Sequence, residues 1–114
     1  MSEFKEKVCK YYELVDANKF EQLFFLFSST VLYIRCEEKI EGMDDLKDFY
    51  LNKRRIKGKH NIDDVIQSDN IVVAKGKFIG ENLDLEFADF FYFDNTGKIE
   101  KRYTYLAKGY SSTV

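Results

Sequence analysis

Apolar residues recur at helical spacing early in the chain and alternate along its last half. Phe4, Val8, Tyr11, Tyr12 and Val15 share one stripe, which predicts a first helix over residues 2–16 with Ser2 as its N-cap. Asn18-Lys19-Phe20-Glu21 has the form of a capping box, Asn18 in the capping position, opening a short second helix with Phe20, Leu23, Phe24 and Phe27 on one face. Residues 30–36 are β-branched and aromatic and read as a strand. A third helix is expected over about 43–54, with Leu46, Phe49, Tyr50 and Lys53 as its stripe. From His60 onward the pattern is that of strands: 60–67, 71–79, 83–93 and 98–107, divided by Ser68-Asp69-Asn70, Gly80-Glu81-Asn82 and Asn95-Thr96-Gly97. Helices come first and antiparallel strands last. That order, α-α-β-α-β-β-β-β, is an α+β pattern in one domain spanning residues 1–114, and a curved sheet wrapped on helices leaves a concave pocket between them.

The last hairpin has a register that its turn predicts. Asn95-Thr96-Gly97 fits a three-residue loop with Gly97 in the left-handed region, so Asp94 opposes Lys98. Counting back, Phe93 opposes Ile99, Phe91 opposes Lys101, Asp89 opposes Tyr103 and Phe87 opposes Tyr105. Asp89 then shares a face with Phe87, Phe91, Phe93, Tyr103 and Tyr105. A four-residue loop would set Asp89 against Arg102; the first register is preferred because it keeps apolar residues together. An acid set among rings must be paired, hydrogen-bonded or protonated. Desolvation is expected to win, with Asp89 holding its proton near neutral pH.

Composition narrows the class. Of 114 residues 45% are hydrophobic and 17% aromatic, enough for a sizeable core, and eleven Phe with eight Tyr suggest a roomy aromatic interior. The net charge of −2, with both signs mixed, calls for no nucleic acid. Cys9 and Cys36 lack metal or redox spacing and read as reduced thiols of a cytoplasmic protein. No apolar run is long enough to span a membrane, and the N-terminus has no signal core. One histidine gives no metal set, and no glycine-rich phosphate loop implies a cofactor.

Three pieces in order carry a resemblance: residues 11–27, Gly42-Met43-Asp44-Asp45-Leu46-Lys47-Asp48-Phe49-Tyr50, and Ala88-Asp89-Phe90-Phe91-Tyr92-Phe93-Asp94-Asn95-Thr96-Gly97-Lys98-Ile99. Together they resemble the nuclear-transport-factor-2-like superfamily (NTF2-like), which includes ketosteroid isomerases and SnoaL-like polyketide cyclases. The resemblance implies a cone-shaped, cystatin-like fold of three helices on a curved antiparallel sheet. In ketosteroid isomerase a carboxylate base works with a tyrosine and a protonated aspartic acid that form an oxyanion hole. By that resemblance Asp89 stands at the protonated acid and Tyr11 at the oxyanion tyrosine. The base does not carry over: its position holds Tyr33, a phenol, and phenols ordinarily ionise near 10.

The candidate pocket is lined by Tyr11, Phe27, Tyr33, Phe49, His60, Phe87, Asp89, Phe91, Tyr103 and Tyr105. Asp89 and Tyr11 are each readable as core residues, and His60 as an exposed one. His60 is also the single side chain whose ordinary pKa lies near neutrality, and Asp64 shares its face as a partner. Arg35, alternating with Tyr33, is a candidate anion anchor, and the basic run 53–60 is either a ligand attractor or a solvated helix end. The leading expectation is binding of a small, largely apolar molecule, with isomerase or cyclase chemistry on a carbonyl compound. The alternative is a non-catalytic binding or dimerisation module. Phe90 and Tyr92 on the outer face suggest a homodimer packed sheet to sheet.

Overall fold

The computed structural model describes residues 2–54, 57–81 and 83–107. Arg55 and Ile56 of the basic run, and Asn82 of the second turn, lie outside the described residues. The chain begins with α1 (Glu3–Asp16) and α2 (Phe20–Phe24), followed by β1 (Phe27–Arg35) and β2 (Glu38–Glu41). Then come α3 (Gly42–Asp48), a π-helical turn (Phe49–Lys53), β3 (Gly58–Ser68), β4 (Ile71–Gly80), β5 (Leu83–Phe93) and β6 (Ile99–Leu106). The α+β class holds. The sheet, however, is mixed: its six strands run in the order β2-β1-β6-β5-β4-β3, with β1 parallel to β6 and every other pair antiparallel. Strand β2 escapes the sequence pattern because it is short and buries Ile40 alone.

Local chemistry explains how the helices begin and end. Ser2 caps α1, its Oγ accepting from the Lys5 N–H at 3.2 Å. Asn18 does not cap α2. It sits at φ 58, and the Asn18 and Lys19 N–H groups donate back to the Val15 and Leu14 carbonyls at 3.2 and 2.9 Å, closing α1. Asn tolerates the left-handed conformation that such a stop requires. The π turn bonds the Arg54 N–H to the Phe49 carbonyl at 2.7 Å. Its wider winding buries the adjacent Phe49 and Tyr50 together.

One extra residue decides the chemistry of the last hairpin. The three-residue loop forms as its sequence predicts, with Gly97 at φ 84 and the Asp94 N–H donating to the Lys98 carbonyl at 2.8 Å. Phe93 faces Ile99, but Tyr92 then faces Lys101, so Glu100 is an unmatched residue in β6. Beyond this bulge the faces of β6 are exchanged. Asp89 pairs with Thr104, Phe91 with Arg102, Phe90 with Tyr103 and Ala88 with Tyr105. Tyr103 and Tyr105 therefore point to the outer face with Phe90 and Tyr92. Their rings pack there, Phe90 on Tyr105 at 5.7 Å and Tyr92 on Tyr103 at 5.9 Å between centroids. Both tyrosines leave the predicted pocket, and Arg102 and Thr104 take the inner positions.

The core lies between α1, α3 and the inner face, around Val8, Leu23, Leu46, Val72, Phe91 and Phe93. No helix among the described residues is long and apolar enough to cross a membrane. Cys9 and Cys36 are free thiols. Melting temperatures with and without a reducing agent are therefore expected to agree; a drop on reduction would reveal a disulfide between chains.

Candidate functional site

The inner sheet face and the helices enclose a cavity of about 70 Å³. This is room for several waters or a ligand of a few heavy atoms, well below the roughly 300–1,000 Å³ of a drug-sized site. The roomy aromatic interior expected from composition is thus a small cavity, its rings interleaved with charged and polar side chains.

Its floor is an ion pair. Asp89 on β5 is 1% exposed and Arg102 on β6 is 3% exposed. An Arg102 terminal nitrogen meets Asp89 Oδ2 at 2.9 Å. Tyr12 donates to the same oxygen at 2.5 Å, and Thr104 donates to Oδ1 at 2.6 Å. Asp89 accepts from three donors and gives to none, which is the role of a carboxylate. The lone protonated acid expected from the hairpin is replaced by a paired one, because the Glu100 bulge turns Arg102 inward.

Around Arg102 the aromatic side chains form a cage. Its guanidinium lies 4.4 Å from the Tyr11 ring centroid, 4.5 Å from that of Tyr33 and 5.0 Å from that of Phe91. The other terminal nitrogen donates to the Tyr11 hydroxyl and, at 3.1 Å, to Tyr50. The two hydroxyls share a hydrogen bond of 2.5 Å. Among the described residues Arg102 Nε is a buried nitrogen with no partner. Burial pushes the Tyr11, Tyr12 and Tyr50 hydroxyls up, so they are proton donors. Burial, the largest single effect, works against the Arg102 charge, but Asp89 together with Tyr11, Tyr33 and Tyr50 outweighs it and holds the guanidinium above the ordinary arginine range.

The wall holds a second dyad. His60 Nδ1 lies 2.6 Å from Asp16 Oδ1, and the His60 backbone N–H donates to Asp16 Oδ2 at 2.9 Å. Asp16 is the last residue of α1, so the helix end delivers a carboxylate to the start of β3. The expected partner Asp64 is not used: β3 carries an irregularity between Ile62 and Asp64 that breaks the alternation. A carboxylate against Nδ1 sets the ring with Nδ1–H donating and Nε2 bare. Burial, the main cause, moves His60 below its ordinary value of about 6.5; Asp16 pulls the other way, and the net shift is downward.

That shift has a consequence for stability. Above about pH 6.5 both folded and unfolded chains hold a neutral ring, and His60 contributes nothing. As pH falls through that value, the unfolded chain takes a proton that the native state resists. Stability is expected to decline on acidification from there down to the folded pKa, and to stay level below it so far as His60 is concerned. Urea midpoints at pH 7.5 and 5.5 measure the decline, which His60→Gln should reduce.

Tyr11, Tyr33, Arg35, Phe49, His60, Phe87 and Asp89 all line the cavity. Phe91 lies behind Arg102, fully buried, and Phe27 packs on the Tyr11 ring at 5.9 Å. Arg35 donates to Glu38 at 3.0 Å and stacks over Phe49 at 4.6 Å. Sequence reasoning missed Tyr12, Asp16, Tyr50, Arg102 and Thr104 as members of these networks. Tyr12 and Tyr50 lie on stripes that read as plain core. Asp16 and His60 lie 44 positions apart, and no spacing rule joins them.

Comparison with solved structures identifies the architecture. A candidate ketosteroid isomerase from Kribbella flavida superposes with a TM-score of 0.84 at 14% identity, over 94% of this chain and 79% of that one. A candidate SnoaL-like polyketide cyclase from Shewanella putrefaciens gives 0.83 at 13% identity, over 98% and 95%. The epoxide hydrolase/cyclase-like enzyme SalBIII, of pyran ring formation in the polyether salinomycin, gives 0.83 at 13%, over 94% and 92%. At such identities the likeness shows the fold alone, and that fold is NTF2-like. No protein-family model matches the sequence, and neither does any curated protein.

Proposed function

We propose that this NTF2-like chain binds a small molecule in its cavity and moves a proton on it, in the manner of an isomerase or cyclase acting beside a carbonyl. The observation that carries the reading is the Asp16–His60 hydrogen bond on the wall of the same cavity whose floor is Arg102. His60, oriented through Nδ1 and neutral at pH 7, is the base, its Nε2 taking the proton. Negative charge that develops on the ligand oxygen meets Arg102 and the one hydroxyl of the Tyr11–Tyr50 pair whose proton is not spent on their shared bond. Asp89, its acceptor sites occupied, acts as a positioning residue that holds Arg102. The family's carboxylate base is then replaced by a histidine from another strand.

The test requires no knowledge of the substrate. Small ketones, aldehydes and oxo acids are incubated with the protein in D₂O, and loss of the α-proton signal is followed by NMR. Exchange that needs His60 supports the reading. Ligand binding without exchange for any compound would sink it and favour the non-catalytic module, which the small volume of the cavity also suits.

The same reading includes a homodimer. The outer face presents Phe90, Tyr92, Tyr103 and Tyr105, with Tyr105 54% and Ile66 63% exposed. A second copy packed on it would cover these rings. Sedimentation is expected to give twice 13.5 kDa. Phe90→Glu, which buries an unpaired charge at such an interface, is expected to give the monomer. A wild-type monomer at micromolar concentration would contradict the assembly.

A further inference from the structure

We infer that Phe78 sets the size of the ligand: its ring closes the cavity on the side of His60 and confines the space to compounds of a few heavy atoms. The inference rests on the cavity being a binding site and names what that site excludes. At this end of β4 the inner face carries Ala74, Gly76, Phe78 and Gly80, which pair in unbroken register with Asp89, Phe87, Leu85 and Leu83 of β5. Three of the four have a methyl group or no side chain at all. Phe78, 5% exposed, is the one described residue of β4 that lines the cavity.

The glycines are kept by the sheet itself. A Cβ on Gly76 would collide with the Asn61 carbonyl, and one on Gly80 would lie 2.6 Å from that of Lys57. Close approach of β3 thus bars both positions from a side chain that could narrow the space in place of Phe78. The ring also stands beside the histidine. His60 faces Phe78 across the ladder and meets it edge to face, centroids 4.9 Å apart, while Leu85 flanks it on β5. Volume removed from this ring is therefore added to the cavity next to the imidazole. Arg35 is paired with Glu38 and Arg102 with Asp89, so uncharged probes suit the lining.

Cyclopentanone, cyclohexanone and 2-decalone form the probe series, and binding is read from amide chemical shifts of the full chain. The wild type is expected to prefer cyclopentanone to 2-decalone by at least about tenfold. Phe78→Ala should reverse that order. Phe78→Leu, which keeps a buried apolar side chain if alanine prevents folding, should shrink the preference. Phe93→Leu, the same truncation in a part of the core that does not line the cavity, should leave the order as it is. Preference of the wild type for 2-decalone, an unchanged order in Phe78→Leu, or the same change in Phe93→Leu overturns the inference. Xenon separates it from the proposed function, since an apolar atom needs no polar partner. Under xenon pressure Phe78→Leu should show larger shifts at His60 and Leu85 than the wild type; no gain overturns the inference. That gain without binding of any ketone would refute the small-molecule reading and leave Phe78 as the limit of the space.

Discussion

Arg102→Met is expected to lower the free energy of unfolding by about 3–5 kcal/mol. The substitution keeps an unbranched side chain of similar length but removes the charge beside Asp89. That carboxylate, 1% exposed, keeps Tyr12 and Thr104 as donors and loses its cation. Stacking on Tyr11, Tyr33 and Phe91 goes with it. The loss measures an abandoned buried charge, not the net worth of the pair. Asp89→Leu combined with Arg102→Met should therefore recover much of the stability, since an apolar replacement of a buried pair is often neutral or better. Guanidinium denaturation of the two single variants and the double variant closes the cycle. A loss below about 1 kcal/mol for Arg102→Met would mean that water reaches the floor and that the pair behaves as an exposed one.

His60→Gln should abolish catalysed α-proton exchange, a loss of about 10²–10⁴-fold for a general base, with ligand binding retained. Asp16 gives the sharper diagnosis. Its attraction raises the His60 pKa against the larger effect of burial. In Asp16→Asn that support is gone, so the acid limb of the rate profile should move to lower pH while the maximal rate falls. A role confined to packing would leave the limb where it is. Exchange that survives His60→Gln at an undiminished rate would remove the histidine from the chemistry.

The helical stripe of α1 and the turn at Gly97 were legible because each rests on a short-range rule: apolar spacing in one case, a positive φ in the other. The α+β order followed from where such patterns change period. Asn18 misled because asparagine serves equally to start a helix and to stop one, and the stop won. The faces of β6 misled for a deeper reason. Alternation prefers Tyr103 and Tyr105 inside with Ile99, and the chain instead buries Arg102 against Asp89 and packs its tyrosines on the outer rings. Pattern reasoning counts apolar residues and cannot see that a distant acid makes an arginine acceptable inside. The parallel pairing of β1 with β6 and the contact of Asp16 with His60 join distant parts of the chain and leave no local trace.

The unmatched Glu100 has an evolutionary corollary. Side chains downstream of it are read in a frame of two, like a message with a single inserted character. Pairing Glu100 into the ladder, with no residue lost, would restore plain alternation, exporting Arg102 and Thr104 to solvent and importing two phenols in one step, whereas deleting it would leave Arg102 opposite Phe91 and Thr104 opposite Asp89. No sequence of point substitutions accomplishes so large a change at once. On this fold the chemistry of the cavity floor is thus open to revision by a slip of register, and a chain of the same length that paired this residue into the ladder should be expected to differ in what it recognises.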